Sequence, residues 1–254
     1  MIETGRGPAS LVLFPAVGDN ATSYKPLLAI LADALDGVAR VVAIDPPGYG
    51  QAILKGGAIP KFHELLAWAE RLGAQYSTPT IFAGNSSGGA IAAAAASAVA
   101  SSSRGLVLIG WPDWRVAQPP LETLVPRDLQ GLEMLLQRSW HSPPSIAPNM
   151  ARILLARYAT HHFREHVYSF DPLEATAYYD RCEGPLLFVG GESDKLVQPE
   201  ALQESVEKRA GSQLRLIPAC GHFPHKEAAA ALANALLEFM ASFITTGQSR
   251  VPSS

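Results

Sequence analysis

Short, almost wholly apolar runs punctuate the chain at residues 10–14, 38–44, 80–83, 105–109, 185–189 and 213–217, each followed by a turn rich in Gly, Pro, Asp or Asn. Longer segments with helical spacing of apolar positions follow at 24–35, 61–72, 87–100, 199–209 and 226–244. Runs such as Leu106-Val107-Leu108-Ile109 are apolar at consecutive positions, so both faces of those strands need covering. Strand, turn and helix in alternation predict a doubly wound, mostly parallel α/β sheet.

One stretch breaks the rhythm. Residues 111–184 contain no strand-like run, but they hold Pro112, Pro119, Pro120, Pro126, Pro143, Pro144 and Pro148 and two amphipathic stretches, 127–137 and 148–162. A bare parallel crossover needs only about a dozen residues, so 111–184 is read as an inserted helical lid on a core made of 1–110 and 185–244. Its large side chains, Trp111, Trp114, Met134, Trp140, Met150 and Tyr158, are candidate walls of a substrate pocket. The simpler reading is a helical cover for one sheet edge. The polar tail, 245–254, is expected to fray.

Composition narrows the function classes. With 254 residues, 48% hydrophobic and 17% charged, the chain can bury a large single core. Its 20 Lys+Arg and 23 Asp+Glu are scattered and leave a net charge of −3, which argues against nucleic-acid or membrane partners. Cys182 and Cys220 can build neither a disulfide framework nor a zinc site. Nothing near Met1 resembles a secretion signal, and the alanine-rich stretch 88–100 is too short and too weakly hydrophobic to span a bilayer, so a cytoplasmic protein is expected.

The sharpest chemical signal is Gly84-Asn85-Ser86-Ser87-Gly88, placed between an apolar strand and an alanine-rich helix. In that context G-x-S-x-G presents a nucleophile on a tight turn, with helix N–H groups beside it for a developing oxyanion. Ser86 is the candidate nucleophile. A serine needs a base and a carboxylate to orient the base. Asp194 follows the strand 185–189 in Gly190-Gly191-Glu192-Ser193-Asp194, and His222 follows 213–217 in Cys220-Gly221-His222-Phe223. Both lie at carboxyl ends of strands, where open α/β sheets place their sites. No metal or organic cofactor is needed for this chemistry. His162 and His166 flank Glu165 without an H-E-x-x-H pattern, so they are read as exposed or lid-packing residues, and His225 as packing at the start of the last helix.

The order serine, acid, histidine and the phrases GNSSGG, GGESD and CGHFPHKE resemble the α/β-hydrolase superfamily over nearly the whole chain, as does the turn Asp45-Pro46-Pro47-Gly48-Tyr49-Gly50. The resemblance implies an eight-stranded parent fold with a variable lid, and here the usual leading antiparallel pair is expected to be truncated or missing. The segment from Phe14-Pro15-Ala16-Val17-Gly18-Asp19 to Tyr24-Lys25-Pro26-Leu27 resembles the F-P-x-A-G-G-S-x-x-x-Y-x-P-L stretch of thioesterases that serve polyketide and nonribosomal peptide synthases. Val17 stands at that pattern's alanine and Asp19 at its second glycine. By analogy the N–H groups of Val17, or Ala16, and of Ser87 form the oxyanion hole. Some of these thioesterases carry the acid after the strand that here ends at Ile109. That position is Gly110, and Asp113 close by is the runner-up acid.

The expectation is a serine hydrolase acting on an acyl ester or thioester of a small to medium, largely apolar substrate, which an acyl carrier protein would deliver in the thioesterase case. Lactone hydrolysis, C–C bond hydrolysis and acyl transfer or cyclisation by the same triad stay open. So does a non-catalytic ligand-binding protein.

Overall fold

The six apolar runs form strands, and a seventh short strand precedes them. They are β1 (Ile2–Thr4), β2 (Ala9–Phe14), β3 (Ala39–Ala43), β4 (Thr80–Asn85), β5 (Ser103–Ile109), β6 (Leu186–Gly191) and β7 (Ser212–Ile217). The computed structural model describes residues 1–99, 103–113, 115–116 and 120–244. Trp114 and the tail 245–254 therefore lie outside the described residues. The sheet order is β1-β3-β2-β4-β5-β6-β7, parallel throughout except at β1. There Ile2 stands opposite Ala43 and Thr4 opposite Val41, antiparallel. One leading antiparallel strand is thus present; three residues are too few for a periodic signal in the sequence.

Alternation along each strand divides the core in two. Val12, Phe14, Phe82, Leu108 and Phe188 face α2 (Phe62–Gly73) and α3 (Ser87–Ser97). Leu11, Leu13, Ile81, Val107 and Val189 face α1 (Lys25–Ala34) and a long C-terminal helix. Ile91 and the five alanines that follow it in α3, Ala92 to Ala96, are buried, and the small alanine side chains bring this helix close to its neighbours. A Cβ on Gly73 of α2 would lie 2.1 Å from the Ala95 carbonyl oxygen, so the two helices meet almost backbone to backbone there.

Between β5 and β6 run four helices rather than two: α4 (Leu129–Ser139), α5 (Pro148–Ala159), α6 (His161–Tyr168) and α7 (Pro172–Asp180). The stretch 148–162 is split at Thr160, whose extended backbone and side chain cap α6. Helix α7 packs on α3, with Ala175 and Tyr179 in the sheet's own core, so the last part of 111–184 belongs to the core layer. After α8 (Pro199–Glu207) and β7, the expected helix 226–244 is interrupted at Ala228, giving α9 (Pro224–Glu227) and α10 (Ala229–Ile244). The break leaves the Glu227 carboxylate to accept the Gly221 N–H at 3.0 Å and the His141 N–H at 2.8 Å, which ties the turn after β7 to the chain beyond α4. No helix among the described residues is long and apolar enough to cross a membrane.

Candidate active site

Ser86 sits at the end of β4 with φ 54° and ψ −125°, a region that costs a non-glycine residue on the order of 1–3 kcal/mol. The surroundings enforce it. The Ser86 N–H donates to the Ile109 carbonyl at 2.7 Å, and the Ser86 carbonyl accepts from Gly89 N–H at 2.7 Å. A Cβ on Gly84 would lie 1.9 Å from the Gly88 carbonyl oxygen, and one on Gly88 would lie 2.4 Å from that of Phe14. Only glycine fits at either side of this turn.

His222 follows β7 and Asp194 follows β6. The His222 Nδ1 and Asp194 Oδ2 atoms are 2.7 Å apart, and both side chains are almost wholly buried. The other Asp194 oxygen accepts the Leu196 and Val197 N–H groups at 2.9 and 3.0 Å, which fixes the carboxylate plane. A carboxylate accepts, so Nδ1 carries the proton and Nε2 presents its lone pair. Asn85, next to the serine, donates its amide to the carbonyls of Ile109 and His222 at 3.1 and 3.0 Å, linking the serine turn to the histidine turn. Asp113 is elsewhere and engaged. Arg115 grips its carboxylate through Nε and Nη2 at 2.8 and 2.6 Å and also reaches Asp180. Against the upward push of burial, the Arg115 bonds hold Asp113 below the usual carboxylate range.

The oxyanion loop differs in detail from the expectation. The Val17 N–H donates to the Ser87 hydroxyl oxygen at 2.8 Å, whereas the N–H groups of Ala16 and Ser87 have no hydrogen-bond partner among the described residues. Ala16 and Ser87 are therefore the pair left free for an oxyanion. Burial pushes the Tyr49 phenol well up, against the opposing influence of the nearby Ser87 hydroxyl. Tyr49 in turn lies 2.8 Å from His166 Nε2, and His166 Nδ1 lies 2.7 Å from the Pro60 carbonyl oxygen. That carbonyl can only accept, so the neutral imidazole donates from Nδ1 and accepts the Tyr49 proton at Nε2. Burial lowers the His166 pKa and favours this neutral form, although the Pro60 bond opposes the shift. His166 is thus an inward-facing tie between α6 and the segment from Tyr49 to Pro60, while its neighbours His161, His162 and Glu165 are exposed. Ligand atoms of those three lie within 4.8 Å of one another, but Glu165 is already paired with Lys61 at 3.3 Å.

A second buried histidine ties the same loop from the other side. His225 Nε2 is 2.9 Å from Asp19 Oδ2, Lys226 Nζ is 3.1 Å from Asp19 Oδ1, and the His225 ring stacks on Tyr24 at 4.1 Å. Burial raises the Asp19 pKa, but the His225 bond and the Lys226 charge outweigh it and bring it down to about 2. Tyr49, Asn85, Asp19, His166 and His225 were all missed as site-supporting residues, because the partners named for them stand 24 to 207 positions away in the chain.

Two cavities meet at Ser86 and His222. The smaller, about 40 Å³, is walled mainly by Phe62, Val167, Phe170 and Val197. The larger, about 240 Å³, is walled by Trp140, Ile146, Tyr158 and Phe163 and ends at Asp19 and Lys226. Of the expected pocket residues, Trp140 and Tyr158 line it. Trp111 does not: it is fully buried against Gly89 and Tyr179 under α3. Met134 and Met150 point to solvent, half exposed, because the inner faces of α4 and α5 are filled by Leu132, Leu135, Leu136 and Leu154 instead.

The family model for the alpha/beta hydrolase family matches residues 11–235. The chain belongs to the alpha/beta hydrolase family. Among solved structures this hydrolase is similar to lip1 from Acinetobacter baumannii AYE, with TM-score 0.78 and 20% identity over 97% of this chain and 88% of that one. It is also similar to olei00960, a hydrolase from Oleispira antarctica, with TM-score 0.71 and 20% identity over 94% and 93% of the two chains. A third is the 2-hydroxy-6-oxo-6-phenylhexa-2,4-dienoate hydrolase of Rhodococcus sp. strain RHA1, with TM-score 0.68 and 20% identity over 93% and 92%. No curated protein sequence matches. At such identities the neighbours establish the fold of this hydrolase, and its chemistry rests on its own residues.

Proposed function

We propose that this hydrolase cleaves an acyl ester or thioester through an acyl-enzyme formed on Ser86. The observation that carries this reading is the buried His222–Asp194 pair, 2.7 Å apart, opening on the same cavities as a serine held at positive φ. Ser86 Oγ attacks the carbonyl carbon and its proton passes to His222 Nε2; the imidazolium is stabilised by Asp194 and returns the proton to the leaving group. Water repeats the sequence on the acyl-enzyme. The Ala16 and Ser87 N–H groups receive the negative charge that develops on the carbonyl oxygen. The Phe14-to-Leu27 segment, with its likeness to thioesterases, favours an acyl thioester presented by a carrier protein over a free ester.

The test is intact-protein mass after treatment with a fluorophosphonate. The expected result is one adduct per chain on the wild type, none on Ser86→Ala and none on His222→Ala in the same interval. An adduct that persists on Ser86→Ala, or a folded wild type that never reacts, overturns the reading.

A further inference from the structure

The two cavities at Ser86 differ in size, polarity and position relative to the base, and the difference assigns the two halves of a substrate. Both share Val17, Ser86, Leu124, Leu196 and His222, so a bound ester passes between them at the nucleophile. The smaller lies beside Ser87 and continues under α2 and α6, where Phe62, Val167 and Phe170 close it with apolar groups. At about 40 Å³ against about 240 Å³, it is much the tighter of the two. The larger follows the histidine turn onward, from His222 through Phe223 to Lys226. His222 must hand its proton to the leaving group, and the turn that carries it lines only the larger cavity beyond His222, through Phe223 and Lys226. The far end there offers the Lys226 ammonium and the ionised Asp19 carboxylate, one donor and one acceptor 3.1 Å apart.

Resting on the reading of Ser86 as nucleophile, we infer that this enzyme is selective for a short, unbranched acyl group carried on a larger leaving group with a polar end. The acyl chain enters the cavity walled by Phe62, Val167 and Phe170. The leaving group extends along Trp140, Tyr158 and Phe223 to Lys226 and Asp19. Long acyl chains have no room on the first side. A small alcohol leaves the second side empty.

The experiment compares kcat/KM across two ester series on the same enzyme preparation, p-nitrophenyl esters from acetyl to decanoyl, and butyryl esters and thioesters whose leaving groups grow from methyl to N-acetylcysteamine and pantetheine. The expected result is at least a tenfold fall in kcat/KM between butyryl and octanoyl, and at least a tenfold rise between methyl and pantetheine leaving groups. Phe170→Ala and Val167→Ala, checked for wild-type melting behaviour, are each expected to move the acyl cut-off up by two or more carbons. Preference for octanoyl or longer in the wild type overturns the assignment, as does an unchanged cut-off in both folded variants. Fluorophosphonate labelling of Ser86 in the same samples separates the two ideas: labelling with the wrong chain-length profile removes the assignment alone, and no labelling removes the hydrolase reading and the assignment with it.

Discussion

At the scale of single residues, the site is held by polar side chains whose own partners are buried. Asp19 sits in the loop after β2 with its pKa lowered from 3.8 to about 2, the His225 bond and the Lys226 charge outweighing the cost of burial. A carboxyl held lower in the folded state stabilises the fold fully above its unfolded pKa, near 4, and loses that contribution as pH falls toward 2. The shift is equivalent to about 2 kcal/mol. Asp19→Asn is therefore expected to lower urea-denaturation stability by about 2 kcal/mol at pH 7, with the gap to wild type closing between pH 4 and pH 2. A constant gap across that range would mean that Asp19 acts by shape and not by charge. Tyr49 poses the opposite case, a neutral bond. Tyr49→Phe leaves His166 Nε2 buried without a donor, at a cost of about 1–3 kcal/mol. Denaturant midpoints of Tyr49→Phe and His166→Phe measure it; stability equal to wild type in Tyr49→Phe would show that the bond contributes nothing.

At the scale of elements, the alanine-rich helix α3 decides how close the nucleophile turn comes to everything else. It lies under α2 and α7 on one side and the sheet on the other, and from Gly88 to Ala96 it is buried. Alanine suits it for two reasons: the highest helix propensity, and a side chain that lets neighbouring backbones approach. The contact at Gly73 depends on the same closeness. Gly73→Ala places a methyl 2.1 Å from the Ala95 carbonyl oxygen, so α2 and α3 must part. Overpacking of this kind costs about 1–3 kcal/mol, or roughly 2–12 °C in melting temperature for a chain of this size. Calorimetry of Gly73→Ala gives the answer directly. A variant as stable as wild type would mean that the helices slide without loss.

At the scale of the whole molecule, the choice between two candidate acids turns on which carboxylate lies against the histidine. The ends of β6 and β7 are neighbours, which brings Asp194 against His222, whereas Asp113 beyond β5 is enclosed by Arg115 and receives no histidine. Asp194→Asn is expected to lower kcat about 10⁴-fold on any ester the enzyme turns over. Asp113→Asn is expected to cost stability, since Arg115 loses the buried one of its two carboxylate partners, while kcat stays within about threefold of wild type; a large kcat loss in a folded Asp113→Asn would reverse the assignment. The order of strands and helices, the serine turn and the positions of Asp194 and His222 were legible in the chain, because apolar runs and glycine turns are local patterns set by neighbouring residues. Which residues of 111–184 face inward was not. Trp111 went into the core and Met134 and Met150 to the surface, while His166, one histidine among three on its helix, turned inward to Tyr49. Composition cannot tell these fates apart, since a helical position becomes wall or surface only when another element lies against it. The sequence by itself determined a doubly wound sheet with a G-x-S-x-G turn between strand and helix, and the candidate acid and base at later strand ends. Only the tertiary structure decided which N–H groups stay free, which histidines are buried and how the space at Ser86 divides in two, because each depends on contacts between segments far apart in the chain.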